Sequence, residues 1–351
     1  MNARGRTVRV GTRGSELALR QAATVKEALE RRRLSVELVE VETRGDQLRD
    51  ELIHRLGTTG AFVRALDEEV LSGDLDAAVH SMKDVPTDQP EGLVVAGIPE
   101  RGPAADLLVT PLAGLRGNVD TRVEKLLAPT LQREHEARLE AENEANGTGE
   151  TDDGQAGDRA GEDEDSEGGE YERTVEEWFD ALAEIERRAL ERAVDTEYDA
   201  ICLAEAGVTR SGLDHHVPHV GLDPAEFVPA PGQGALAVTA VDGNLAGHLH
   251  EILDHPPTRV AVTVERTVLA ELGGGCVAPM GVHARLQGEV VLTAVSVLAR
   301  DADRTVTATR ELPVERHAEA ATAFAADLAD RGAAELIEEA KRDGPDGAKR
   351  Q

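Results

Sequence analysis

The sequence is short of cysteine and lacks long apolar runs. Two cysteines in 351 residues cannot build a disulfide framework. No stretch approaches the roughly 18 consecutive apolar residues of a membrane-spanning helix. The first ten residues, MNARGRTVRV, lack the apolar core of a signal peptide. These absences predict a cytoplasmic protein that has no membrane partner.

Basic residues are also scarce, and lysine is scarcest. The chain has 68 acidic residues against 38 basic ones, a net charge of −30, and only five of the basic residues are lysine. Nucleic acids and anionic membranes are not expected as partners, because phosphate contacts need a basic face. Acidic excess with little lysine indicates adaptation to a salt-rich cytoplasm, where screening removes most of the self-repulsion.

The first hundred residues alternate strand and helix patterns, which predicts an α/β fold with a parallel or mixed sheet covered by helices. Ser15 is placed to cap the first helix, and Gly73 is placed to end the second. The strand patterns are TVRVG, SVELVEV, LDAAVHS and LVVAGIP, and the helix patterns are SELALRQAATVKEALERR and AFVRALDEEVLSG.

A different composition begins near residue 130. Residues 150–172 hold eleven acidic residues and one basic residue, so this stretch cannot bury a core and is predicted to be disordered between helical flanks. In the second flank, one helix face carries four apolar residues. They are Trp178, Leu182, Ile185 and Ala189.

The last third returns to strand and helix patterns. The segment YDAICLAEAG is predicted to be a buried strand in which Cys202 is an ordinary core residue. Residues 265–272 predict a short helix, GVHARL and VVLTAVSVLAR predict two strands joined by a QGE turn, and residues 315–340 predict helix. These patterns predict a small α/β domain at the end of the chain.

Charged side chains follow several predicted strands. Lys83 and Asp84, in HSMKDVP, could offer an ammonium and a carboxylate to one ligand, since open α/β sheets place ligand groups at strand ends. A surface ion pair is the alternative. Arg13 and Ser15 lie where a helix begins, a position that favours an anion.

Further arginines also follow predicted strands, and one of them, Arg44, lies two residues before the carboxylate of Asp46. Any one arginine could be an ordinary surface residue. Several together, in a chain poor in positive charge, predict a polyanionic ligand, because guanidinium groups bind carboxylates and phosphates with two hydrogen bonds. These residues are Arg44, Asp46, Arg116, Arg122 and Arg210.

Metal and nucleotide motifs are missing. The sequence has no Walker loop, no GxGxxG after a strand and no CxxC pair. The histidines of DHHVPH, His215, His216 and His219, are typical of a surface loop rather than of a metal site. No metal is therefore expected.

Cys276 lies in ELGGGCVAPM, directly after three glycines. Glycines leave the backbone bare and let a large group approach closely. Two hypotheses remain open from this stretch alone: a partly buried loop thiol with no special role, and a reactive or modified thiol.

Taken together, these stretches resemble the porphobilinogen deaminase family, also called hydroxymethylbilane synthase. The resemblance covers most of the chain outside the acidic insertion, and HSMKDVP, LRGNV and GGGCVAP in this order are its most specific parts. The matching stretches are VGTRGSELALRQA, ETRGDQ, GAFVRALDEEVLSGDLDAAVHSMKDVP, LRGNVDTRVEKL, YDAICLAEAGVTRSGL, PAPGQGALAV and ERTVLAELGGGCVAPMGVHARL.

The resemblance implies a covalent cofactor. In this family the cysteine of the glycine loop, here Cys276, carries dipyrromethane through a thioether. Four porphobilinogen units are added to this primer stepwise, head to tail, with loss of ammonia from each. Hydroxymethylbilane, a tetrapyrrole precursor, is then released by hydrolysis.

The resemblance also assigns site residues. Asp84 matches the catalytic aspartate, which assists proton transfer to the leaving amine and stabilises the cationic azafulvene that follows. The remaining matches hold cofactor or substrate groups, and Arg13 and Arg122 serve both. For the cofactor they are Arg13, Ser15, Asp46, Ser81, Lys83, Arg116 and Arg122, and for the substrate they are Arg13, Arg122, Arg210 and Gln233.

The implied fold has two lobes like those of periplasmic binding proteins, with the site between them, and a small C-terminal α/β domain that carries the cysteine. The expected boundaries are 1–101 with 235–256 for the first lobe, 102–234 for the second and 257–351 for the third domain. The acidic insertion is placed at about 135–175, inside the second lobe. The expected partner is porphobilinogen, and the expected state is a monomer.

The chain departs from the family pattern at two places. Thr59 stands where many members have a basic residue. Between DLLVTPLAG and LRGNVDTR, the family has a strand–helix–strand unit of roughly 30 residues that contains a GTSSLRR motif, and this chain has no such motif. The alternative hypothesis is therefore a truncated, inactive relative that retains a two-lobed, anion-binding cleft.

Overall fold

The structure is a computed structural model. It describes residues 7–41, 61–109, 119–147, 171, 173–192, 200–275, 278–299 and 303–342. The chain divides into two compact units, and each is described below by itself. The first comprises Met1–Thr110 with Cys202–Gln351, and the second comprises Pro111–Ile201.

The described residues form eleven strands and ten α-helices. The strands are β1 (Thr7–Thr12), β2 (Ser35–Glu40), β3 (Ala77–Ser81), β4 (Leu93–Gly97), β5 (Asp106–Leu108), β6 (Cys202–Ala204), β7 (Val220–Gly221), β8 (Leu236–Val241), β9 (Met280–Gln287), β10 (Val290–Leu298) and β11 (Thr305–Pro313). The helices are α1 (Glu16–Arg31), α2 (Ala61–Ser72), α3 (Val119–Gly147), α4 (Val175–Ala181), α5 (Glu184–Leu190), α6 (Glu205–Ser211), α7 (Asn244–Leu253), α8 (Pro256–Glu271), α9 (His317–Asp330) and α10 (Ala333–Arg342).

A five-stranded mixed sheet of order β2-β1-β3-β8-β4 forms the largest part of the first unit. Strand β1 runs parallel to β2 and β3, whereas β8 is antiparallel to β3 and β4. Helices α1 and α7 contribute Leu29 and Leu249 to a core that also contains Val10 and Val238. The predicted α/β alternation is confirmed here.

Helix α1 begins where the sequence predicts. The Ser15 hydroxyl oxygen accepts a hydrogen bond from the Ala18 amide at 3.3 Å, which satisfies one of the free donors of the first turn. The predicted apolar stripe supplies the buried residues Ala22, Val25 and Leu29. Helix α2 ends before Gly73, whose φ of +86° favours glycine, as predicted.

A second, three-stranded sheet has the order β6-β5-β7, and both neighbours of β5 are antiparallel to it. The prediction that Cys202 is a core residue is wrong. Strand β6 is three residues long and lies at the sheet edge, so side chains alternate: Leu203 is buried and Cys202 is exposed.

The end of the first unit has the α/β character predicted for this part of the chain. Strands β9, β10 and β11 form an antiparallel sheet, and α8, α9 and α10 pack against it around Phe324, Val295 and Ile337. Helix α8 is longer than predicted, because it begins at Pro256 rather than near residue 265. Strand β11 was not predicted.

The second unit contains α3, α4 and α5. The face predicted from Trp178, Leu182, Ile185 and Ala189 is buried, although α4 and α5 are separate helices. Residues 135–147 belong to α3, which confirms the predicted helical flank, so disorder over the whole insertion placed at about 135–175 is wrong for these residues.

Two contacts explain why the helix continues. Glu134 pairs with Arg138 one turn later, and the Arg138 guanidinium lies 5.1 Å from the centre of the Trp178 ring. The stretch 150–170 lies outside the described residues. No helix in the described part of the chain is long and apolar enough to cross a membrane.

Candidate functional site

The motif HSMKDVP places its charged residues on a 3-10 turn at the end of β3. The turn comprises Met82–Asp84, with Met82 buried, Lys83 half-buried and Asp84 exposed. Ser81 is the last residue of β3 and is also half-buried. The predicted position of these groups at a strand end is confirmed.

A second turn, residues 230–235, packs against this one. The Met82 amide donates to the Ala235 carbonyl at 3.0 Å. Gly234 has a φ of +81°, and a Cβ there would lie 2.5 Å from the Pro103 carbonyl oxygen. Glycine is therefore required where this turn meets the segment that leads into β5.

Gln233 lies on that second turn and is 3 % exposed. Its amide nitrogen, Nε2, donates to the carbonyls of Ala104 (2.9 Å) and Ala105 (3.3 Å) and to Asp106 Oδ1 (2.9 Å). The backbone carbonyl of Gln233 accepts a hydrogen bond from Arg101 Nε at 2.7 Å. The side chain is thus held in one orientation beside the start of β5.

Asp106 is a site residue that the sequence did not reveal. Burial raises the pKa of its carboxyl, while the hydrogen bond from Gln233 and the positive charge of Lys83 act in the opposite direction. The charged residues predicted for the site follow strands, whereas Asp106 begins strand β5. No signal in the local sequence connects it with Gln233, which is 127 residues away.

Cys202 lies close enough to Asp106 for the carboxylate to affect it. Burial and then the Asp106 charge raise the pKa of the Cys202 thiol, even though much of the residue's surface is exposed. Nucleophilic attack by cysteine requires the thiolate, which this environment disfavours. The Cys202 thiol is accessible, and we expect it to be a poor nucleophile.

The structure also describes three other predicted site residues, Arg210, Arg13 and Ser15. The Arg210 Nη2 donates to the Gly234 carbonyl at 2.7 Å, and burial lowers the pKa of its guanidinium. Arg210 is therefore built against the same turn as Gln233. Arg13 directly follows β1, and the Ser15 hydroxyl oxygen accepts one hydrogen bond as the cap of α1, which leaves its O–H able to donate to a ligand.

The glycines before Cys276 end helix α8. Gly273 has a φ of +69°, its amide donates to Ala270, and the Gly274 amide donates to Leu269, which is the Schellman arrangement of a helix terminus. The amides of these two glycines are therefore used within the helix terminus and do not stabilise a thiolate at the neighbouring cysteine.

The structure does not describe the side chains of four predicted site residues. Three of them, Asp46, Arg116 and Cys276, lie outside the described residues. Thr59, the position that departs from the family pattern, also lies outside them. Arg122 lies in α3, where only its backbone is described. Their roles remain predictions. Within the described residues, no group of three or more His, Cys, Asp or Glu side chains could hold a metal ion.

These features first define a class: α/β proteins in which charged and amide side chains gather at strand ends to receive a small polar ligand. The comparison with known families is more specific. Residues 8–115 and 182–246 match the model described as "Porphobilinogen deaminase, dipyromethane cofactor binding domain", and residues 260–331 match "Porphobilinogen deaminase, C-terminal domain". The chain belongs to the porphobilinogen deaminase family, whose members are transferases.

Individual relatives agree over nearly the whole chain. A "Probable porphobilinogen deaminase" of Halobacterium salinarum is 48% identical over 388 aligned positions, which cover 95% of this chain and 98% of the relative. Relatives from Methanocella arvoryzae and Syntrophobacter fumaroxidans are each 34% identical and cover 96% of this chain. The first alignment is longer than 351 residues, so that relative has residues with no counterpart here.

Proposed function

We propose that this chain condenses four porphobilinogen units head to tail on a covalently bound dipyrromethane primer, releasing ammonia at each step and finally hydroxymethylbilane. The observation that carries this proposal is the match of both family models, one of them a dipyrromethane-binding domain, together with Lys83, Asp84 and Gln233 on two turns that pack against each other. The reaction serves tetrapyrrole synthesis.

The described residues fit such a primer. Gln233 has an amide oxygen that makes no hydrogen bond within the described part of the chain, and Lys83 supplies a positive charge nearby. A pyrrole N–H and a carboxylate side chain are the groups that would satisfy them. When bound, dipyrromethane would supply the nucleophilic pyrrole carbon to which the first unit is joined, and the terminal pyrrole of the growing chain would supply it for each later unit.

Each proposed residue has a distinct task. Asp84, exposed at the end of the turn, protonates the leaving amine of porphobilinogen and then, as a carboxylate, stabilises the positive charge that develops on the substrate. Lys83 and the arginines pair with substrate and primer carboxylates, and Gln233 accepts a pyrrole N–H. The primer-binding residues are proposed as Arg13, Ser15, Asp46, Ser81, Lys83, Arg116, Arg122 and, covalently, Cys276; those for substrate are Arg13, Arg122, Arg210 and Gln233.

We also propose the finer architecture that the family implies. Two lobes like those of periplasmic binding proteins comprise 1–101 with 235–256 and 102–234, and a third domain, 257–351, carries Cys276. The protein is proposed to act as a cytoplasmic monomer, without nucleic acid, membrane or metal.

A direct assay tests the function. Purified chain is mixed with porphobilinogen, and ammonia and hydroxymethylbilane are measured over time. Asp84→Asn should lower single-turnover rates by about 10²-fold, since an amide cannot stabilise a developing cation by charge. Asp88→Asn, an exposed carboxylate four residues on, is the matched control and should keep the parental rate.

The inactive-relative alternative makes a different prediction. An inactive chain would not prime itself, so the purified protein would give no colour with an acidic aldehyde reagent for pyrroles and would release no ammonia. A primed chain gives that colour before any substrate is added. Absence of both colour and ammonia release would favour the alternative over the proposal.

A further inference from the structure

The Gln233 amide has one possible orientation. Three oxygen atoms surround its Nε2: the carbonyls of Ala104 and Ala105 and the Asp106 carboxylate, at 2.9, 3.3 and 2.9 Å. If the oxygen and nitrogen were exchanged, the amide oxygen would face three acceptors. Nε2 must therefore point toward the start of β5, which leaves Oε1 to act as an acceptor only.

Asp106 is not needed to satisfy this amide. An amide nitrogen has two hydrogens, and the two backbone carbonyls already provide two acceptors. The carboxylate is a third acceptor, held half-buried at a cost that is visible in the raised pKa of Asp106. What Asp106 adds beyond the carbonyls is a negative charge on the N–H side of the amide.

We infer that Asp106 is a positioning residue for the condensation reaction, one that holds and polarises the Gln233 amide so that Oε1 becomes a strong acceptor for a pyrrole N–H. The inference rests on the proposed function. A charged partner strengthens a hydrogen bond, and chains of hydrogen bonds polarise one another in a poorly hydrated site. Electron density moved toward Oε1 also favours the substrate at the stage when it becomes positively charged.

The surroundings of Asp106 fit this role. Lys83, on the turn after β3, and Cys202, on β6, are the titratable groups whose interaction with Asp106 is seen in the described residues. Strand β7, on the other side of β5, presents Val220 and Gly221, which do not titrate. The Lys83 charge favours the ionised form of Asp106 and so keeps the amide polarised.

The first test is a double-mutant cycle on the full-length chain. Asp106→Asn should lower kcat/KM for porphobilinogen by about ten-fold or more, because a charge-assisted hydrogen bond becomes a neutral one. In a Gln233→Met background the same substitution should have almost no effect, since the group through which Asp106 acts is gone. Asp88→Asn changes an exposed carboxylate, and its effect on kcat/KM should be the same with and without Gln233→Met.

The second test does not need activity. In protein labelled with 15N-glutamine, the Gln233 side-chain resonance is assigned by its loss in Gln233→Met. We expect it to titrate with Asp106, at a pH above that of an exposed aspartate, and to lose this titration in Asp106→Asn. Cys202→Ala should leave the titration unchanged, because the raised pKa of this thiol places its own ionisation at alkaline pH.

The outcomes separate the two proposals. If the wild-type chain never consumes porphobilinogen, the proposed function fails, and the titration of the Gln233 resonance still decides whether Asp106 polarises it. If the wild-type chain is active but the two substitutions are additive, or the Gln233 resonance does not respond to Asp106, the inference is overturned and the proposed function stands.

Discussion

The Arg101 guanidinium donates to both carboxylate oxygens of Glu265, at 2.7 Å from Nη1 to Oε1 and 3.2 Å from Nη2 to Oε2. Glu265 is fully buried, and it also accepts from the backbone amides of Gly232 and Ala284, each at 2.7 Å. One carboxylate thus connects the segment before β5, the turn that carries Gln233 and strand β9. This pair fixes the backbone on which the candidate site is built.

Removing the Arg101 side chain should strongly destabilise the fold. Arg101→Met leaves the buried Glu265 charge with amide donors alone, and breaking a buried ion pair in this way costs about 3–5 kcal/mol. The free energy of unfolding, measured with denaturant in molar salt, tests this. The control is Arg31→Met, which removes an exposed pair with Glu27 on α1 and should cost about 1 kcal/mol or less. Equal losses in the two variants would contradict the role given to Arg101.

The stability of the fold should fall in mild acid, in part because of His283. Burial lowers the pKa of this imidazole; nearby arginines, Arg101 and Arg285, act in the same direction, while Glu265 and Asp223 oppose it. Between the lowered pKa and the ordinary value of about 6.5, the unfolded chain binds more protons than the folded one. The contribution of His283 to the free energy of unfolding therefore rises with pH across this window, and this contribution is lost as the pH falls below about 6.5.

The measurement is the difference in unfolding free energy between the wild type and His283→Gln at a series of pH values. Taking the difference cancels the contribution of Asp106 to the unfolding free energy, because this contribution is the same in both proteins. The raised pKa of Asp106 would otherwise change the unfolding free energy with pH in the opposite direction. His216→Gln, which changes an exposed histidine, is measured in parallel as the control substitution. A flat difference curve for His283→Gln would remove this residue from the account.

Salt should determine whether the protein stays folded. A net charge of −30 produces strong self-repulsion, which salt screens over a few ångströms at molar concentration. We expect the protein to unfold or aggregate in dilute buffer and to be stable in molar KCl. Thermal midpoints that are equal under the two conditions would argue against adaptation to a salt-rich cytoplasm.

Local patterns in the sequence predicted the elements that depend on local physics. Helix α1 follows from its apolar period and from the Ser15 cap, and β3 follows from a short apolar run that ends in a charged turn. The prediction for Cys202 is wrong because, within the described residues 200–207 of this run, the strand is a three-residue edge strand in which alternate side chains face solvent.

Long-range relationships could not be predicted in this way. Asp106 and Gln233 are 127 residues apart, and Arg101 and Glu265 are 164 apart. Each pair depends on how separate segments pack, and neither leaves a local pattern. The motifs therefore identified Lys83, Asp84 and Gln233 through their family resemblance, whereas the charges that hold and tune Gln233 became visible only in the fold.

The most direct test of the account is the intact mass of the purified chain, followed by peptide mapping. The account predicts a mass above that of the sequence by two porphobilinogen units less the ammonia lost in coupling, located on the peptide that contains Cys276. Cys276→Ser should abolish the increment, while Cys202→Ala should keep it, because the raised pKa of the Cys202 thiol makes this cysteine a poor nucleophile. An increment on Cys202, or one that survives in Cys276→Ser, would contradict the assignment of the primer to the glycine loop.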